Sequence, residues 1–320
     1  MQRVVVWDTN VYRSGFGSQG KPLTEEGFTA LLAAEERREV QPYADPWVIL
    51  ELLAHLADEK DEDYARSRHA LRRIYVRCLS GRKGCGLLSD SESEIARLIT
   101  KKPLPGHAET TQWLATRCAE VGRTPPDQPL SLTVEDVGFI AKHVAEMEEW
   151  FATHCREQRE HLDQFMAQIE EQPVRKVAWA ASKKHLEEAR AIRTATAEAI
   201  IRGALRDLGD PVPPQLNPKL VERVQDVLAV GIEFYAIVLR KVAFDGANVE
   251  KPRTRNLMWD QRISYCIGQK VGEAPIWFVT DDPDFHAASA LTPYRARVRW
   301  PAEYEAWLSE KSHGLRRSRR

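Results

Sequence analysis

Val4-Val5-Val6-Trp7-Asp8-Thr9-Asn10 begins with three valines and a tryptophan in succession and is cut off by an aspartate. A short β-branched run, apolar at every position, fits a strand buried on both faces of a parallel sheet better than one with a wet side. Far along the chain, Ile276-Trp277-Phe278-Val279 repeats the pattern and stops at Thr280-Asp281-Asp282-Pro283-Asp284-Phe285. Functional groups in open α/β sheets gather outside the carboxyl ends of the strands. Two buried strands ending in carboxylates therefore predict one shared edge that carries Asp8 and the group Asp281, Asp282 and Asp284. Carboxylates brought together repel, and a hard cation relieves that cost, so the pattern points to Mg2+ or Mn2+.

Outward from these two strands, Thr24 followed by Glu25 and Glu26 reads as a capped helix start, with Phe28, Leu31 and Leu32 on one face. Residues 40–44 read as a second strand, and Pro46 opens the apolar helix PWVILELLAHLAD. Strand, helix, strand, helix is the α/β pattern. From about residue 61 the chain turns charged, alanine-rich and helical in period, with no strand-like alternation. One long helix is expected from Val137 to about Glu171 and a partner over 174–208, paired as a hairpin that turns at Gln172 and Pro173. A third is expected from Asn217 and Pro218 to Val242. After Gly246 the α/β text returns, with a helix around Trp259 to Gly268, the second apolar strand, an edge strand over 297–300 and a last helix from Pro301. The expected fold is α/β with a central, mostly parallel sheet. Its domain comes in two pieces, residues 1–60 and 251–312, separated by an all-α insertion over 61–250 and followed by a basic, flexible tail over 313–320.

Lys and Arg number 46 against 47 Asp and Glu, a formal charge of -1, so no global basic field announces a polyanion, and any such attraction must be local. The five cysteines are scattered, none with C-x-x-C spacing, and read as reduced and structural, with Cys78 and Cys85 the outside candidate for a pair. Neither a leader-like segment nor a bilayer-length apolar stretch is found, so a cytoplasmic protein without membrane contact is expected.

VVVWDTNV, PWVILELLAHL, MWDQRISYCIG and IWFVTDDPDF together resemble the four acidic motifs of PIN-domain nucleases, in that family's order. The likeness covers about the first sixty and last seventy residues. It implies a PIN-like three-layer fold and a metal-dependent endonuclease, a hydrolase acting on RNA more readily than DNA and leaving a 5′-phosphate and a 3′-hydroxyl. It also implies that Asp8, Glu51, Asp260 and Asp282 are the catalytic and metal-binding acids. Asp281 and Asp284 are candidates for a second ion or for capping the helix after Pro283. Thr9, Asn10 and Thr280 are candidates for holding the carboxylates in place.

Each position also has a plainer reading. Asp8 suits a turn, Glu51 a solvated helix face, and Asp260 the first turn of its helix, where the dipole favours an acid; Asp245 is its rival. His55 and His286 read as ordinary surface or core histidines, and the tryptophans as core. Arg175, Lys176, Lys183, Lys184, Arg190, Arg193 and Arg202 make either a solvated face or a basic stripe guiding single-stranded nucleic acid. The insertion is also a candidate surface for a protein partner or a homodimer, as in small PIN toxins. Two other functions compete: a catalytically silent scaffold that binds RNA or protein, and a metal-dependent phosphatase. Against the haloacid-dehalogenase version of the latter, Asn10 stands where a second aspartate is needed.

Overall fold

The computed structural model describes residues 3–14, 23–81, 86–130, 132–168, 172–188, 190–245, 247–248 and 251–310. In chain order the elements are β1 (Arg3–Trp7), α1 (Thr9–Ser14), α2 (Glu25–Arg37), β2 (Val40–Ala44), α3 (Pro46–Ala54), α4 (Tyr64–Ile74), β3 (Gly86–Leu87), α5 (Ser91–Thr100) and α6 (His107–Arg123). Then follow α7 (Val134–Ala167), α8 (Gln172–Glu188), α9 (Arg190–Asp207), α10 (Pro218–Val227), α11 (Ala229–Ala243), α12 (Pro252–Ser264), β4 (Lys270–Val271), β5 (Ala274–Val279), α13 (Pro283–Ala290), β6 (Val298–Arg299) and α14 (Pro301–Ser309). The protein is mixed α/β with helix predominating.

β1 lies at the sheet's centre, parallel to β2 on one side and β5 on the other; β3 extends the sheet beyond β2 and β6 beyond β5, both parallel. Among the described residues only β4 runs antiparallel, as a hairpin with the start of β5. Val4, Val5, Val6 and Trp7 have no exposed surface, as their unbroken apolar run predicts. Side chains alternate across the pleat. On one face Trp277 meets Trp307 of α14, with ring centroids 5.1 Å apart, and Trp7 meets Phe28 of α2 at 6.5 Å. On the other, Phe278 packs on Phe285 of α13 at 4.9 Å, which in turn touches Phe234 of α11.

A buried ion pair ties the first face together. Arg77, in a π-helical turn after α4, is wholly buried, lies 3.9 Å over the Trp7 ring and donates to Glu35 of α2 at 2.9 Å and to the Val5 carbonyl at 3.1 Å. Tyr304 of α14 adds a hydroxyl to Glu35 at 2.7 Å. A guanidinium stripped of water this completely needs every donor matched, and its acceptors on other elements are Glu35 of α2, the Val5 carbonyl of β1 and the Tyr12 hydroxyl of α1.

Several expectations need correction. The stretch after residue 61 does contain a strand: two residues of β3 dock beside Tyr43 and Ala44, too short for any periodicity to reveal. The helix expected over 174–208 falls on α8 and α9, with Ala189 between them outside the described residues, and the one from Pro218 breaks at Leu228. Asp260 lies in the third turn of α12, not the first, so the helix dipole is not what it serves. Cys78, Cys118, Cys155 and Cys266 are buried thiols outside any disulfide; Cys85, Gly246 and the tail 313–320 lie outside the described residues. Among the described residues no helix is long and apolar enough to cross a membrane.

Candidate active site

β1 and β5 are in register, Trp7 beside Val279, so their carboxyl ends coincide and Asp8 meets the Thr280-Asp281-Asp282 turn. The Asp8 amide donates to the Val279 carbonyl at 3.0 Å, which stitches the two ends. Asp8 is buried. One of its oxygens accepts from the Thr9 amide at 2.7 Å and the other from the Thr280 hydroxyl at 2.8 Å. Thr280 Oγ1 also accepts from the Asp282 amide at 3.0 Å, and Asp282 caps α13 by accepting from the Asp284 amide at 2.7 Å. On the other side the Thr9 hydroxyl donates to Glu51 Oε2 at 2.6 Å, and Arg13 lies 3.6 Å from Oε1. Thr9 and Thr280 therefore each donate a hydroxyl to a carboxylate of this edge. Asn10 is exposed; its carbonyl accepts from the Ser14 hydroxyl, and among the described residues no acid of the site bonds to its side chain.

The electrostatics bring the distant acids together. Burial, then the negative charges of Asp8, Asp282, Glu51 and Asp284, push Asp260 well above the usual carboxylate range, although part of its surface faces solvent. Asp8 is raised from 3.8 to about 7, chiefly by burial and then by Glu51 and Asp282, against the lowering hydrogen bond from Thr280. Glu51 and Asp282 are raised by burial too, Glu51 against the opposing charge of Arg13. Lys241 of α11 forms an ion pair with Asp284, while Asp281 is exposed. No three of these side chains bring oxygens within 4.8 Å of one another among the described residues, an open arrangement that repulsion favours. Arg13 and Lys241 offset part of the penalty that burial and repulsion impose, and carboxylate oxygens are the hard donors through which a divalent ion could offset the rest.

The acidic edge extends further than the sequence reading placed it. Asp45, at the end of β2, is buried and caps α3, and burial followed by Glu92 and Asp90 raises it to about 8. Asp90, after β3, caps α5 through the Ser93 amide at 2.8 Å. The signal was present: Asp45-Pro46 at a strand end has the same form as Asp282-Pro283. Asp90, Glu92 and His107 place ligating atoms within 4.8 Å of one another, but they are matched already, His107 bonding Asp90 at 2.8 Å and Arg262 pairing with Glu92. Lys241 and Arg13, cations at the site's rim, were also unassigned, because nothing local marks them.

The remaining candidates resolve quietly. His55 bonds Asp61 at 3.0 Å, and His286 bonds the Thr280 carbonyl at 3.0 Å and stacks on Trp300. Arg193 pairs with Glu233 and Arg202 donates to the Pro213 and Pro214 carbonyls, so both have structural partners; the side chains of Arg175, Lys183 and Arg190 lie outside the described residues. Compared with family models, with curated proteins and with solved structures, the chain matches none of them.

Proposed function

We propose that this protein is a Mg2+- or Mn2+-dependent nuclease of the PIN type that hydrolyses phosphodiesters of single-stranded RNA more readily than DNA. One observation carries the reading: at the shared end of two buried parallel strands, burial and the charges of Glu51 and Asp282 raise the proton affinity of Asp8, and burial and the charges of Asp8, Asp282 and Glu51 raise that of Asp260. A fold does not by itself accumulate such repulsion, and a site for a divalent cation accounts for it.

Asp8, Glu51, Asp260 and Asp282 would hold the ion, with Asp284 at the rim. When bound, the cation supplies positive charge against the scissile phosphate and lowers the pKa of water. The chain's own contribution is orientation. Thr280 fixes Asp8 and Asp282 relative to each other, Thr9 fixes Glu51 relative to Asp8, and the buried β1–β5 ladder keeps both ends rigid. Arg13 and Lys241, which pair with Glu51 and Asp284, would be the cations nearest to non-bridging phosphate oxygens at the edge of the site.

The test is cleavage of end-labelled single-stranded RNA and DNA in Mn2+, Mg2+ or EDTA by wild type, Asp8→Asn and Asp282→Asn. Metal-dependent cutting lost in both variants, with 5′-phosphate products, is expected. Cyclic phosphate products refute the hydrolytic mechanism. Metal-independent binding of RNA by wild type and both variants, with no cutting, would make the chain a scaffold, and release of phosphate from small monoesters a phosphatase.

A further inference from the structure

Thr280 stands where β5 stops and the acidic turn begins, and it has no exposed surface. Its amide donates to the Arg299 carbonyl at 3.1 Å, and its hydroxyl serves both Asp8 and the Asp282 amide. Its carbonyl is placed differently. In a parallel ladder, a residue that donates to position 299 receives its own bond from the amide of position 301. Position 301 is a proline, the first residue of α14, and has no N–H to give. The buried oxygen therefore needs a donor from outside the sheet.

His286, the fourth residue of α13, supplies it. Its Nε2 lies 3.0 Å from the Thr280 carbonyl oxygen, and because a carbonyl only accepts, Nε2 carries the proton. The direction of the ring is set by Trp300, on which it stacks with centroids 3.6 Å apart and planes 7° from parallel. Trp300 directly follows Arg299, so the segment that accepts from the Thr280 amide also aims the group that serves the Thr280 carbonyl. The pair is not part of the core: Trp300 is 37% exposed and His286 is half-buried. Its contribution is direction more than burial of apolar surface.

We propose that His286 is a positioning residue of the acidic edge: its Nε2–H holds the Thr280 peptide, and through it the hydroxyl that orients Asp8 and Asp282, in the arrangement that takes a divalent cation. Among the described residues His286 bonds to none of the acids, so it acts through Thr280 alone. A group that fixes a ligand's partner in this way governs metal affinity by about 10- to 100-fold. The proposal rests on the metal-dependent reading for what the acids hold, but not for the clamp on Thr280.

Two substitutions separate the donor from the stack. His286→Phe keeps a flat ring on Trp300 and loses the N–H, whereas His286→Gln gives up the ring and keeps an amide N–H at the same reach. His286 and Trp300 both line a half-open cavity of about 470 Å³, which leaves room for either change. Mn2+ is titrated calorimetrically into the full-length protein, with Asp8→Asn as the blank for other sites, and each variant is melted in EDTA. His286→Phe is expected to lose about tenfold or more in Mn2+ affinity while melting close to wild type, and His286→Gln to recover most of that loss. In cleavage of single-stranded RNA, His286→Phe should need more Mn2+, reach the wild-type kcat at saturating metal and keep its KM. Wild-type Mn2+ affinity in His286→Phe overturns the proposal. So does a loss in both variants that follows their fall in melting temperature, which marks a structural contact only. Should His286→Phe fail to fold, His286→Ala takes its place with the same expected loss. Mn2+ binding that depends on His286 without cleavage would leave the clamp standing and sink the nuclease, while cleavage with a metal requirement unchanged in His286→Phe would do the reverse.

Discussion

Asp8→Asn should abolish cleavage and, in the absence of metal, make the protein more stable. Asp8 is buried, and its proton affinity rises from the ordinary 3.8 to about 7. At 1.36 kcal/mol for each pH unit, the ionised form destabilises the fold by roughly 4 kcal/mol, as an upper bound. An amide is isosteric and keeps the local bonds: its oxygen accepts from the Thr9 amide, and its nitrogen donates to Thr280 Oγ1, which has lone pairs for it and for the Asp282 amide. The pH dependence has a definite sign. Between about pH 4 and 7 the folded Asp8 retains a proton that the unfolded chain has lost, so wild type loses stability as pH rises through that window. The advantage of the variant should therefore be near zero at pH 4, and reach a few kcal/mol at pH 8. Urea melts in EDTA at pH 4, 6 and 8 measure it directly, and a repeat with Mn2+ should restore wild type far more than the variant. A variant no more stable than wild type at pH 8, or one stabilised equally by Mn2+, would refute the account of these acids as an open group strained by its own charge.

Three further outcomes follow from the same contacts. Thr280→Val removes the hydroxyl shared by Asp8 and Asp282 and should lower Mn2+ affinity about 10- to 100-fold by calorimetry, with circular dichroism unchanged. Arg77→Leu strands the buried Glu35 carboxylate and should cost about 3–5 kcal/mol in a urea melt, while a surface Arg such as Arg66 replaced in the same way should cost almost nothing. The Asp90–His107 pair should give a bell-shaped contribution to stability. For Asp90, burial alone would raise the carboxyl, but the bonds from His107 and Ser93 outweigh it and hold the carboxyl low. That contribution is present above 3.8 and fades as pH falls through the depressed value. His107 is raised by its bond to Asp90 despite burial, so its contribution is complete below 6.5 and fades as pH rises through the raised value. Its size is modest because His107 is about a third exposed and screened, and His107→Gln should flatten the alkaline limb of thermal stability measured between pH 6 and 9.

Local chemistry explains what could be read without coordinates. A run of residues apolar at every position has no wet face to offer, so β1 and β5 were bound to be interior strands, and a strand-ending acid was bound to lie on the sheet's carboxyl edge. Thr24, Asn217 and the prolines at 46, 218 and 301 mark their helix starts because capping and first-turn geometry are decided within three or four residues. Asp8 and the group Asp281, Asp282 and Asp284 stood out because each follows an apolar run, whereas Glu51, Asp260 and the choice of Asp282 came from the resemblance to the PIN motifs.

Other features had no local signature. Arg77 lies in a segment that reads as an ordinary basic helix face, and it is buried only because Glu35, the Val5 carbonyl and Tyr12 arrive from other elements to match it. Two residues of β3 become a strand because β2 offers an edge, not because they prefer to be one. The bond from the Gln261 amide to the Gly231 carbonyl exists only because α11 passes close to α12. Sequence alone determined which residues must be inside and where helices begin, since those depend on hydration and on near neighbours along the chain. Which charges meet, and which polar atom is left without a partner, was decided by tertiary structure, because electrostatic and hydrogen-bond energies depend on distances in space that no spacing along the chain encodes.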